Sequence, residues 1–459
     1  MHTYIKRGFH ISVACILLAA CSKFVTVDPP ATSFVDETVF LDSASANAGV
    51  LGLYSRAMQG NLTSLNGGMV LYGSLLSDEL VATTTQSAML EFYEYGVQPT
   101  NSQMIGLWRE WYEQIYHANA ILEGLDRSDR LSPTLKDRLR GEAMFMRAFC
   151  YFQLIQWFGP VPLVLTTDYR ENKLMGRTEL ELVYEKMLED AKEASVLLPA
   201  DFSKYKNQRN RPTIFAAYAL LAQLHLFGKD WENAEAYATK IIETTSLFGL
   251  AKSPEAAFNV GDLESIWQLQ PVVTGMNTGI SLAFVQTTGI PQYGYISPDL
   301  WSQFSEGDRR KEFWTLSYTF DGKDYHLPYK YKFPFQTDGI EYLTVFRLAE
   351  MYLLRAEARA EMNKLPEGQA DLQVIRSRSG LTTDDFSDKS DLVAAIIRER
   401  RIELFAENGM RWLDLKRKGL ADMILSALKP DTWIPTAVLL PLPASELTNN
   451  SNLYQNPGY

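Results

Sequence analysis

Apolar residues recur at three- and four-residue spacing along most of the chain, the pattern of helices that each bury one face. The spacing predicts helices over 40–58, 105–125, 135–157, 179–198, 213–227, 231–244, 345–362, 367–377 and 392–416. Between 250 and 340 that periodicity is lost. Gly, Pro, Thr and Tyr become dense there, and only short runs such as 265–269 and 314–320 alternate as strands do. Two predicted hairpins share a feature: Ala222 and Ala234 stand twelve apart, as do Ala358 and Ala370. Small residues at such positions let antiparallel helices approach closely, as in tetratricopeptide repeats. The Trp, Gly and Pro positions of the full repeat are unmet, so these are degenerate units, physically little different from ordinary hairpins with Ala in the seam. The expected fold is mainly α: a tetratricopeptide-like scaffold of helical hairpins with a loop-rich region containing a few short strands.

The amino terminus has another pattern. Lys6 and Arg7 precede an apolar run from Ile11 to Ala20, which closes on Leu18-Ala19-Ala20-Cys21. The run suits a secretory signal and falls short of the roughly 20 apolar residues of a spanning helix. Small residues before a cysteine also make a bacterial lipoprotein box. Residues 1–20 are therefore expected to be a lipoprotein signal peptide and Cys21 to carry the lipid, several acyl chains anchoring stably where one does not. A plain secretory signal with an incidental cysteine is the alternative. Residues 21–36, aperiodic and containing Pro29-Pro30, read as a lipidated tether. Residues 37–459 then form a single domain, with helical scaffold over 37–250 and 341–459 and the loop-rich region over 251–340.

Composition narrows the function. The 44 Lys and Arg against 55 Asp and Glu give a net charge of −11, and removing the signal takes away two cations and no acid. No nucleic-acid partner is expected of so acidic a chain, because phosphate-backbone binding depends on basic surface. Of three cysteines, Cys15 leaves with the signal and Cys150 lies in an apolar run where a thiol is buried and inert. The acids Glu399, Glu403, Glu407 and Asp414 could suggest acid/base catalysis. On a single helix, however, Glu399, Glu403, Glu407 and Arg411 fall four apart along one row beside Arg400 and Arg401. Acids interleaved with arginines make an ion-paired seam, and Glu142 with Arg147, and Glu350 with Arg355 and Glu357, read the same way. His117, His225 and His326 are scattered, and no HExxH, GxSxG, Walker or GxGxxG pattern occurs. No catalytic residue, metal site or cofactor beyond the lipid on Cys21 is expected.

Binding chemistry remains. A neutral sugar presents C–H faces and hydroxyls, so its site needs exposed rings to stack on and amides or acids to accept hydroxyl protons. Trp108, Trp111, Trp157, Trp231 and Trp412 lie on predicted helix faces and read as core. Rings in loops are different, because no core requires them. Phe92-Tyr93-Glu94-Tyr95, with Gln98 and Asn101, is one such stretch; Gln292-Tyr293-Gly294-Tyr295, followed by Tyr318, Tyr325, His326 and Tyr329, is the other. For any single tyrosine, packing or a solvated turn is the alternative. As a group, Tyr93, Tyr95, Asn101, Tyr293, Tyr295 and Tyr325 are the candidate ligand contacts.

Ordered blocks along the chain carry a resemblance. They include Trp108-Arg109-Glu110-Trp111-Tyr112 with Ala118-Asn119-Ala120, Gly141-Glu142-Ala143 with Arg147-Ala148-Phe149, Phe158-Gly159-Pro160-Val161-Pro162, and Arg211-Pro212-Thr213. Arg347-Leu348-Ala349-Glu350, Glu399-Arg400-Arg401 with Arg411-Trp412 and Asp414, and Gln455-Asn456-Pro457-Gly458-Tyr459 complete the set. In this order they resemble the SusD/RagB outer-membrane nutrient-binding lipoproteins of Bacteroidetes-type bacteria. The resemblance implies a non-enzymatic, lipid-anchored protein at the outer membrane, facing the exterior, that captures a glycan on loops of the two tyrosine stretches. It also implies delivery of that glycan to a SusC-like TonB-dependent transporter. The tether departs from the pattern, with Asp28 and no acidic cluster after Cys21, so the outward orientation rests on the family alone. The compact 250–340 region implies a small ligand face. Peptide capture within the same transport system is the alternative function, and a secreted glycan-degrading enzyme a third.

Overall fold

The computed structural model describes residues 39–382 and 384–459. The signal peptide, the tether and Cys21 lie outside the described residues. The first helices are α1 (Ser43–Ala57), α2 (Met69–Leu76) and α3 (Ser87–Tyr93). The Asp42 carboxylate accepts from the amides of Ala44 and Ser45 at 2.8 and 3.0 Å, satisfying donors that have no partner inside α1. α4 (Ser102–Arg127) and α5 (Pro133–Phe158) are the two longest helices, 26 residues each, and pack side by side, with α6 (Leu180–Leu197) on the other flank of α5. Pro133 starts α5 where a missing amide costs nothing, and Gly159, at φ +72°, ends it.

The hairpin of α7 (Ile214–Phe227) and α8 (Trp231–Ile242) is followed, after the loop-rich region, by that of α9 (Leu348–Glu361) and α10 (Leu365–Arg378). α8 packs on α9, so the two hairpins stack. The scaffold is tetratricopeptide-like. Ala222, Ala234 and Ala358 are fully buried in it. Ala370, expected in the second seam, is exposed. Gly368 takes that place: a Cβ there would lie 3.0 Å from the Ala356 carbonyl oxygen. The turn of α10 that faces α9 thus carries Gly368, Leu372 and Ile375, all buried.

Among the described residues six short strands pair antiparallel in three two-stranded sheets: β1 (Leu80–Ala82) with β3 (Gly294–Ile296), β2 (Ser265–Leu269) with β6 (Leu343–Arg347), and β4 (Thr315–Phe320) with β5 (Lys323–Pro328). β6 occupies the start of what the periodicity predicts as a helix from 345. Its Val345-Phe346 alternate onto β2, and the helix begins only at Leu348. Trp267 of β2 meets Tyr54, Phe145, Phe149 and Phe346 with ring centroids 5.0–6.3 Å apart, so this sheet is sealed into the main core. Cys150, wholly buried beside it in α5, has its thiol pushed up by desolvation. No helix among the described residues is long and apolar enough to cross a membrane.

The predicted helix over 392–416 is broken. α11 (Lys389–Glu403) and α12 (Met410–Arg417), followed by α13 (Ala421–Leu428), are separated by a turn in which Ala406, Asn408 and Gly409 have φ of 52°, 46° and 66°. The break lets α2 approach: a Cβ on Gly73 would sit 2.6 Å from the Gly409 Cα. Glu407 therefore lies in the turn, and the expected single row of acids does not exist. The acids are nonetheless ion-paired, in a buried cluster. Arg347 reaches Glu264, Glu403 and Glu407 at 2.9, 2.5 and 2.7 Å, and Arg310 reaches Asp308, Glu399 and Glu403 at 2.6–2.9 Å. Arg378 bridges Glu264 and Glu403, and Lys330 meets Glu407 at 2.5 Å. Burial alone would raise the Glu403 carboxyl, but Arg378, Arg347 and Arg310 outweigh it and hold it well below the usual range. Elsewhere the expected partners exchange. Glu142 pairs with Arg211 and Arg147 with Asp190, while Arg355 takes Asp371, Glu357 takes Arg417 and Glu350 accepts from Gln223.

Glu264, Asp308, Arg310 and Lys330 belong to the loop-rich segment, and their partners to α10, α11, β6 and the turn after α11. The cluster is therefore the joint between the two. Replacing Arg347 by Met leaves Glu264, Glu403 and Glu407 each short of one counter-ion in the interior. It is expected to cost about 3–5 kcal/mol, read as a lower urea midpoint; an unchanged midpoint would refute the joint.

Candidate ligand-binding face

The two tyrosine stretches lie about 200 residues apart in the chain and meet through the β1–β3 pairing. Val81 stands opposite Tyr295 and Ala82 opposite Gly294. Thr83 continues the contact, its amide donating to the Tyr293 carbonyl at 3.1 Å and its hydroxyl to that of Pro291 at 2.5 Å. Only glycine serves at 294, where a Cβ would fall 2.7 Å from the Val81 oxygen. Burial first, then Tyr295 and Glu94, raise the Tyr93 phenol.

Tyr93, Tyr293 and Tyr295 are each half-buried, with ring surface left open. Tyr95 and Asn101 do not open onto this face but are buried beneath it. Tyr95 turns inward at φ +59°, is 1% exposed, donates to the Leu76 carbonyl at 2.8 Å and meets Trp433 edge-on at 4.7 Å. Asn101 caps α4, accepting from Gln103 and Met104 while donating to the Ala88 carbonyl and the Glu91 carboxylate at 2.8 and 2.6 Å. It fixes α3, and with it Tyr93, to the start of α4. Tyr325 is buried as well, opposite Tyr318 across the β4–β5 hairpin and edge-on to Tyr295 at 5.3 Å. Its place is beneath the exposed rings. Phe92, also in the first stretch, is wholly buried on Tyr72, ring centroids 4.7 Å apart.

The sequence reading passed over other parts of the face. Trp301, in the short helix Pro298–Gln303, lies parallel to His326 at 3.5 Å with Lys311 4.3 Å from its ring. It is a half-buried tryptophan outside every long helix, the signal that could have singled it out. Lys323 covers Tyr295 at 4.6 Å, and their hydrogen bond raises the lysine. Lys429, just past α13, sits 4.1 Å from the Tyr93 ring, and burial lowers it to about 7. The resulting face carries the half-buried rings of Tyr93, Tyr293, Tyr295, Tyr318 and Trp301, with Glu94, Gln292 and Asp324 exposed nearby in the chain. Among the described residues no group of His, Cys, Asp and Glu could hold a metal ion.

Comparison with known proteins places this geometry. Residues 54–226 match a SusD-like family described as starch-binding and associating with the outer membrane, and residues 335–459 match the SusD family itself. The chain belongs to the SusD/RagB family. A SusD-like protein of Formosa agariphila is 24% identical over 96% of this chain and 97% of its own length. A SusD superfamily protein of Bacteroides vulgatus superposes with a TM-score of 0.82 at 22% identity, covering 91% of this chain and 99% of that one. A solved laminarin-binding SusD-like protein gives a TM-score of 0.76 at 25% identity, covering 91% and 99%. The family associates this SusD-like chain with the outer membrane.

Beneath the face, the SusD-like scaffold is clamped to it by charge. Arg411 holds Asp78 with two bonds of 2.7 Å, and Arg401 joins Asp78 to Asp299 at 3.0 and 2.6 Å. Asp78 and Glu79 in turn receive Ser297 through their carbonyls, at 2.6 and 2.8 Å, which fixes β3. Glu79 is held less well. Its carboxylate accepts from Ser74 at 2.6 Å, one oxygen has no partner, and burial pushes it up to about 7. A carboxyl raised from its ordinary 4.5 stabilises the fold fully below that value, and the contribution is lost as pH rises through about 7. Glu79→Gln is therefore expected to be more stable than the native chain at pH 8 by about 1–3 kcal/mol, with the gap closing toward pH 5. Melting curves across that range test it, and a variant less stable at pH 8 would refute it.

Proposed function

We propose that this protein captures a glycan at the outer membrane and delivers it to a SusC-like TonB-dependent transporter. One observation carries the reading: the β1–β3 pairing gathers half-open tyrosines from two distant segments into one ring-lined face in a chain of the SusD/RagB family. Rings with open faces stack on the C–H surfaces of pyranoses, and the nearby amide and carboxylates accept hydroxyl protons. The buried acids, tied up in ion pairs with arginine, leave binding rather than catalysis as the chemistry of the face. The laminarin-binding likeness at 25% identity supports a glucan-type ligand. Lipid on Cys21 would tether the protein close to its transporter, raising the effective concentration so that modest affinity suffices.

Native affinity gels cast with neutral polysaccharides, run beside a peptide-library pull-down, test the ligand class. Retardation by at least one polysaccharide is expected, with Tyr93→Ala plus Tyr295→Ala weakening it about ten-fold or more. Peptide capture without glycan retardation would overturn the reading. Cys21→Ser is expected to move the protein from the outer-membrane fraction to the soluble one, and unchanged fractionation would rule out the anchor.

A further inference from the structure

On α4, Trp108, Tyr112 and Tyr116 stand four residues apart and share one side of the helix, repeating every 6 Å or so along it. Their exposure rises along the row: Trp108 is 4% exposed, Tyr112 half-buried and Tyr116 38% exposed. The row forms one wall of a cleft of about 710 Å³, within the roughly 300–1,000 Å³ of small-ligand sites. Facing it are Tyr169, 72% exposed, and Glu446 and Asn449 of the short helix Ala444–Asn449. Neither Tyr116 nor Tyr169 is needed by the core, yet both border the same cavity. The charges of the cleft are balanced. Arg109 and Glu113 pair at 3.7 Å, and Lys173 lies over the Tyr169 ring at 5.4 Å. Glu446 is half-buried in the cleft wall, and burial raises its carboxyl.

We propose that this cleft is a second saccharide site, taking a few neutral pyranose units of the same glycan that the tyrosine face holds. The inference rests on the glycan reading above. The exposed rings of Tyr116 and Tyr169 suit the apolar faces of successive sugars, and a carboxylate with an amide suits their hydroxyls. A polyanion would require surplus cations, which the Arg109–Glu113 pair removes. An extended peptide would want a strand edge to pair with, and no strand borders the cleft. Trp108 lies seven residues, about 10 Å, along α4 from Asn101, the residue that fixes Tyr93. Two weak sites on one chain, the first joined to α4 through Asn101, hold a polymer far better than either does alone.

Titration calorimetry of the mature chain with hexaoses from laminarin, cellulose, starch and mannan tests the proposal, using the hexaose whose parent polymer is retained. Two sites per chain are expected. Tyr116→Ala with Tyr169→Ala, both replaced at exposed positions that leave the core intact, should remove one site and weaken the parent polysaccharide about ten-fold or more. Tyr93→Ala with Tyr295→Ala should remove the other. A single site, lost with Tyr93 and Tyr295 and indifferent to Tyr116 and Tyr169, overturns the second site while leaving the glycan reading in place. Binding of no hexaose or polymer overturns both.

Discussion

The joint between the helical body and the loop-rich segment depends on charges buried where water does not reach. Glu403 is fully buried with Arg310, Arg347 and Arg378 around it, and each of those arginines reaches a further acid. Such ions are costly to bury and tolerable only when every partner is present, because removing one leaves its counterpart uncompensated in a medium of low polarity. The cluster is therefore all-or-none. It is supplied in part by the loop-rich segment, through Glu264, Asp308, Arg310 and Lys330, and in part by the helical body. A segment with little regular structure of its own is thus held by ion pairs as well as by core residues such as Trp267 and Trp314.

The same logic reaches the tyrosine face by a second chain of charge. Asp78, one residue from Glu79 and two from the start of β1, takes Arg411 and Arg401, and Arg401 takes Asp299 beside β3. Strands of three residues would be marginal on their own. Here their ends are pinned from below by arginines of α11 and α12, which leaves Tyr93, Tyr293 and Tyr295 half-open above a fixed base. Tyr93 and Tyr293 still pack in part on the main core, while the arginines fix the strand ends beneath them.

Much of the scaffold was legible in the chain, since helical periodicity is local: the hairpins of α4 with α5 and α7 with α8 fall where apolar spacing puts them. The errors occur where distant residues decide. β6 replaced a helical start because Val345 and Phe346 found β2, and the 392–416 helix broke because α2 needed to reach Gly409. Ala370 lost the seam to Gly368, a shift of two residues that periodicity does not resolve. Of the candidate contacts, Tyr93, Tyr293 and Tyr295 come together, whereas Tyr95, Asn101 and Tyr325 are consumed in support of them. Whether a tyrosine in an irregular stretch faces water depends on what the rest of the chain lays over it.

By itself the sequence determined a mainly α chain, its helical hairpins, the loop-rich interval and the family blocks, because each depends on residues within a few turns of one another. It also determined that the acids near the carboxyl terminus would be neutralised by arginine, since both kinds of residue are dense there. Only the tertiary structure decided which arginine met which acid, where Glu407 would lie, and which rings would be left with open faces. Those outcomes depend on pairings across tens to hundreds of residues, such as Arg411 with Asp78 and Val81 with Tyr295. A buried charge must take whichever counter-ion the fold brings within reach, and that distance is not a property of either residue's neighbours in the chain.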